Sequence, residues 1–94
     1  MKPMDVQVTH NAAAQRFEAV IDGRLAECSY HRQGGTLVLH HTEVPRALQG
    51  QGVAAVLVQA TLDWARAEGL RVRPVCSYVA VYMRRHPQTL DLVA

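Results

Sequence analysis

Apolar residues alternate with polar ones through the first half of the chain and recur at helical spacing through much of the second. Val6 and Val8 alternate in "DVQVTH", and Phe17, Ala19 and Ile21 alternate in "RFEAVID", so both segments predict half-buried strands. Asp22-Gly23 is the strongest short hairpin signal in the chain. "RLAECSYHR" predicts a third strand, and Gly34-Gly35 turns it into a fourth, "TLVLHHTEV". Only "HNAAAQ" separates the first two strands, which is enough for a loop.

From Gly52 the period changes. Val53, Val56, Leu57, Ala60, Trp64 and Ala67 follow helical spacing, while Gln59, Asp63 and Arg66 form a narrow polar stripe. Gly69 suits the helix C-cap. "LRVRPVC" predicts a fifth strand carrying Pro74, and Ser77 is placed to cap a second helix, "YVAVYMRR", which Pro87 ends. The strand–helix–strand unit is a crossover connection, so the fourth and fifth strands should run parallel. The fold class is α/β (α+β): a mixed, mainly antiparallel five-stranded sheet with one long and one short helix.

With 94 residues, 49% of them apolar, the expectation is one domain over residues 1–94. Charged residues make up 19% and the net charge is +2, which fits a globular chain and an anionic small ligand. No basic stripe repeats along an element, so no nucleic-acid partner is expected. No apolar run approaches the ~20 residues of a membrane span, and "MKPMDVQVTH" has no signal-peptide core. The expectation is a cytoplasmic protein with no membrane partner. Cys28 and Cys76 show no C-x-x-C spacing, so free thiols are expected, with no disulfide and no metal site.

Gly50 and Gly52 lie where the long helix must start. The first N–H groups of a helix have no intrahelical partner and sit at the positive end of its dipole. Glycines there let phosphate oxygens approach without a Cβ in the way, so "QGQGVA" reads as an anion cradle or as a tight turn alone. The Walker pattern fails because no Lys-Ser or Lys-Thr follows the glycines. "GQGVAA" meets the dinucleotide fingerprint in letters, but Leu70 to Arg73 offer no acid for a ribose and no further βαβ units follow.

Gln49-x-x-Gly52-x-Ala54 satisfies Q/R-x-x-G-x-G/A and lies between a strand ending in Val44-Pro45 and the long helix. With "HTEVP" before it and "RPVCSYVAVYMRRHP" after it, the chain resembles the GNAT superfamily of N-acetyltransferases, in its small, single-domain YjdJ-type subgroup. The resemblance runs from about Val6 to Val93. It implies a minimal GNAT fold and acetyl-CoA or CoA as co-substrate, held by Val44, Gln49, Gly50, Gln51, Gly52, Val53 and Ala54. It also implies that the fourth and fifth strands splay near Pro74 and admit pantetheine. Larger members insert two helices where this chain has "HNAAAQ" and add two strands after the last helix. The acceptor side is therefore expected to be open, or completed by a partner or by a second subunit in a homodimer. The family's helix start "N-x-x-A" is Ser77-Tyr78-Val79-Ala80 here, and its usual acid tyrosine aligns near Arg84.

Acetyl transfer to an amine needs a base for the ammonium proton and an acid for the leaving thiolate. His41 and Glu43 share a strand face at period two, and either is a candidate base; a solvated Glu43 and a structural His41 are the plain alternatives. His40 should point to the opposite face. Cys76, at the carboxyl end of the fifth strand and before a helix, is an acyl-carrying nucleophile, a thiolate acid or a small buried residue. Tyr78 and Tyr82 share a helix face; one of them is the candidate acid, Tyr82 being preferred as nearer the family's tyrosine position, unless the pair only packs. Cys28 and Trp64 read as core. The acceptor amine, a small molecule or a protein lysine or N-terminus, is left open. A non-catalytic CoA-binding or protein-interaction module is the alternative function.

Overall fold

The computed structural model describes residues 6–94. Strands β1 (Thr9–Asn11), β2 (Arg16–Ile21), β3 (Arg24–Gln33) and β4 (Thr36–Glu43) come first. Helix α1 (Val53–Ala67), strand β5 (Arg71–Pro74) and helix α2 (Ser77–Arg85) follow, with short 3-10 segments at Arg46–Leu48 and Pro87–Leu92. The strands lie in sequence order in one five-stranded sheet. β1 through β4 pair antiparallel, and β4 and β5 pair parallel as the crossover requires. The first strand is shorter than its alternation predicts: Val6 and Val8 pack on the core outside the ladder, and Asp5 lies outside the described residues.

Both helices cover the same sheet face. Phe17, Cys28, Leu39 and Val72 from the strands meet Leu57 and Leu62 of α1 and Val79 and Met83 of α2 in one buried cluster. β1 is anchored by an aromatic group beside it. The His10 ring stacks on Phe17 at 4.2 Å, lies 4.6 Å from Trp64, and its Nε2 hydrogen-bonds the Tyr30 hydroxyl at 2.6 Å. Trp64 is thus packing, as its place on the helix predicts. The other sheet face carries no helix among the described residues, and Val20 there is 66% exposed. No described helix is long and apolar enough to cross a membrane.

One irregularity sets the site. Tyr30 pairs with Leu39 but Ser29 pairs with His41, so β4 carries one extra residue, His40, as a β-bulge. A bulge puts two successive residues on one side of the sheet. His40 therefore does not oppose His41: its ring lies 5.2 Å from that of His31, on the face that Ser29 and His41 also occupy. Strict alternation predicted otherwise, and the bulge is the reason for the correction. Beyond it the parity of β4 is reversed, and Thr42, paired with Cys28, turns to the helix-covered face.

Candidate functional site

The β4–β5 ladder stops at the Leu39–Pro74 pair. Pro74 has no N–H to extend it. The backbone N–H of Cys76 makes a last link to the Leu39 carbonyl at 2.9 Å, and the chain then turns into α2. β4 runs on to Glu43 with no strand beside it on that side among the described residues. A cavity of about 410 Å³ opens in the resulting gap. Thr42 and Val44 wall it on the β4 side, Leu48, Gln49 and Gly50 in the connecting loop, and Gly52, Val53 and Ala54 at the start of α1. Tyr78 of α2 closes the last side.

Two helices thus begin at this cavity. The N-cap of α1 is Gly52, at φ 80°, and Gly50 has φ 79°. A Cβ at either glycine would meet no heavy atom within 4 Å, so the backbone angle supplies the turn and open space remains above it. No side chain caps α1, and no acidic residue stands in its first turn. The dipole end and its N–H groups are left for an anion, which is the arrangement that suits a phosphate group. The two glutamines hold the loop in shape: Gln49 Nε2 donates to the Val44 carbonyl at 3.0 Å, and Gln51 Nε2 to the Ala47 carbonyl at 3.3 Å. Of the loop residues predicted to hold the donor, Gln51 alone does not border the cavity.

The other candidates fall into three places. Cys76 is half-buried and forms the N-cap of α2, where Ser77 was expected. Its thiol donates to Thr42 Oγ1 at 3.6 Å. Burial pushes the Cys76 pKa up, but the N–H groups of Val79 and Tyr78 and the hydroxyl and backbone of Thr42 outweigh it, and the net shift is downward. No side-chain cap bond is made there, so the N–H groups act on the sulfur as dipoles. Cys28, by contrast, is fully buried, and burial holds its thiol above the ordinary value.

His41 and Glu43 stand on the bare face, behind Thr42 and Val44, with His41 Nε2 3.6 Å from Glu43 Oε2. Glu27 joins them there, all three ligand atoms lying within 4.8 Å of one another, and Arg16 Nη1 neutralises Glu27 at 3.2 Å. Tyr82 lies between the helices, away from the cavity wall. Its hydroxyl donates to Gln59 Oε1 and its ring stacks on His86 at 3.9 Å. Burial raises its pKa, so it keeps its proton. Thr42 and Leu48 border the cavity without having been expected to, and of the two tyrosines expected near the thiolate it is Tyr78, not the preferred Tyr82, that lines it. Thr42 could have been found from a change of parity: apolar Leu37 and Leu39 are odd, whereas Val44 is even.

A family model described as GCN5-related N-acetyl-transferase matches residues 16–92. The chain belongs to this family. Protein NATD1 of Gallus gallus is 34% identical over 85 residues, covering 87% of this chain and 77% of its own length. Protein NATD1 of Homo sapiens is 33% identical over 85 residues, with 87% and 75% covered. The NMR solution structure of a GCN5-like protein from Staphylococcus aureus superposes with a TM-score of 0.73 over 100% of this chain and 91% of that one. At 24% identity this last likeness speaks for the fold.

Proposed function

We propose that the protein is an acetyl-CoA-dependent N-acetyltransferase whose donor lies across the Gln49–Ala54 loop. The observation that carries this reading is the uncapped start of α1, with its two positive-φ glycines, opening on the cavity in the β4–β5 gap. The pyrophosphate would rest on the backbone of Gly50 to Ala54, where the helix dipole favours negative charge. Val44 and Leu48 offer apolar walls to pantetheine. The thioester would then stand near Thr42 and Cys76.

The bare sheet face supports an acceptor that is itself large, a protein or peptide amine, because few walls of this chain would enclose a small one. His41 and Glu43 stand on that face and would take the ammonium proton. Two routes follow. In direct transfer the amine attacks the thioester and Tyr82 protonates the CoA thiolate. In the stepwise route the Cys76 thiolate attacks the thioester carbon, the CoA thiolate leaves, and the amine then displaces Cys76. The lowered Cys76 pKa and its bond to a cavity-wall residue favour the stepwise route; the engagement of Tyr82 with Gln59 disfavours the direct one.

Calorimetry with CoA, and CoA release from acetyl-CoA in the presence of lysine peptides, test the proposal. Binding that is lost in Gly52→Val, with turnover in the parent, is the expected result; no binding at millimolar CoA would overturn it. Tight binding without turnover would instead favour a CoA-binding module, a reading that the unenclosed acceptor side supports. An acetyl adduct that disappears in Cys76→Ala together with activity selects the stepwise route.

A further inference from the structure

We infer that Thr42 is a positioning residue for the Cys76 thiol: its hydroxyl orients the sulfur and turns to stabilise the thiolate once the proton has left. The inference rests on the stepwise reading of the proposed function, and its test uses no acetyl-CoA, so the two can fail separately.

The geometry is a chain of thiol and hydroxyl groups that passes through the cavity wall at Thr42 and ends in the core. Cys76 Sγ donates to Thr42 Oγ1 at 3.6 Å, and Thr42 Oγ1 donates to Cys28 Sγ at 3.9 Å. Behind Cys28, Thr61 Oγ1 donates to the Leu57 carbonyl at 2.8 Å and has spent its only proton there. The Cys76 hydrogen thus points to Thr42, and the Thr42 hydrogen points to the buried Cys28.

A hydroxyl has one proton and two acceptor positions. While Cys76 is a thiol, Thr42 accepts from it. When Cys76 gives its proton to water, the Thr42 O–H can rotate about its C–O bond from Cys28 to the anionic sulfur, exchanging a weak bond for a charge-assisted one. Cys28, buried and held protonated, loses only a weak donor. The titratable groups around Cys76 are few: Cys28 from β3 and Tyr78 from α2, with His41 and Glu43 on the far side of β4. Valine has the shape of threonine without this proton. The β4 bulge is what brings Thr42 here, since unbroken pairing would have set His41 opposite Cys28.

The test is the rate at which iodoacetamide alkylates Cys76, read by peptide mass across pH. The thiolate displaces iodide, so the profile reports the ionisation of that sulfur directly. Thr42→Val should move the midpoint up by about one pH unit and slow alkylation at neutral pH about tenfold, the effect of one hydrogen bond to a charged group. Thr42→Ser should restore the parent profile. Thr42→Val with the parent midpoint, or Thr42→Ser displaced as far as Thr42→Val, overturns the inference. Should the valine variant not fold, Cys28→Ala decides: with its inner acceptor gone, the Thr42 proton is free for Cys76 and the midpoint should fall. A midpoint unchanged or raised in Cys28→Ala overturns the inference as well.

Discussion

The two faces of the sheet are built on opposite terms. The covered face is dry: Leu39, Leu57 and Val72 have no exposure, and the buried polar groups on that side are satisfied within the protein. The bare face is a lattice of charges. Glu18, Glu27 and Glu43 stand in one cross-strand row, with Arg16 bonded to the first two at 2.6 and 3.2 Å. The first face holds the fold together through apolar burial; the second tolerates water and like charges, because little of the stability depends on it. The difference teaches where chemistry can be placed. The cavity sits at the one edge where β4 turns side chains of both kinds, Thr42 and Val44 inward and His41 and Glu43 outward.

The contrast can be broken most strongly from the covered side. Leu57→Ala removes a fully buried side chain and should cost about 2–5 kcal/mol, measured by urea unfolding. Gly52→Val, at the boundary, forces a β-branched residue to φ 80°; it should cost about 1–2 kcal/mol while its larger effect falls on CoA binding. On the bare face, Arg16→Ala should cost less than Leu57→Ala, and the loss should shrink with added salt.

That variant also carries a pH signature. The Arg16 hydrogen bond holds the Glu18 carboxyl below its ordinary value of 4.5, against a smaller desolvation cost. A depressed carboxyl stabilises the fold above its unfolded pKa and loses that contribution as pH falls through the folded value. Stability measured between neutral pH and pH 3 should therefore fall more steeply in the parent than in Arg16→Ala. The smallest effect is expected for Val20→Thr, within about 0.5 kcal/mol, since the side chain is already in water. A large loss there would mean that the bare face is covered in solution, and the contrast between the faces would fail.

Most of the fold was legible because its signals are local. Alternation marked the strands, Asp22-Gly23 and Gly34-Gly35 marked the turns, and the helical period with Gly69 bounded α1. The glycine turn before α1 was legible for the same reason, since its glycines and the strand before it are contiguous. Features that depend on pairing between distant segments were not. Nothing in β4 alone says that β3 will skip His40, because the skip reconciles a register set at the Gly34-Gly35 turn with burial of Thr42 and Cys28 further on. Ser77 looked like the helix cap because serine commonly caps; the chain turns one residue earlier, where the Cys76 N–H still bonds to Leu39. The 3-10 segment at Pro87–Leu92 was also unforeseen. It carries the chain back so that Val93 bridges Val72 and the Ala94 N–H reaches the Val72 carbonyl, which covers the outer edge of β5.

The bulge at His40 has a consequence for how this chain tolerates change. The residue adds little chemistry: it is exposed, and among the described residues its ring meets that of His31. Almost any replacement at that point should leave the two sides of β4 as they are. Its loss should do the same, because Leu39 would then be followed directly by His41, and plain alternation keeps Thr42 and Val44 on the covered side and His41 and Glu43 on the bare one. The strand after the bulge has no such slack: losing one residue there turns each later side chain to the other face. Across descendants of such a chain, substitutions and gaps at position 40 should both be common, and a gap at Thr42 or Glu43 rare.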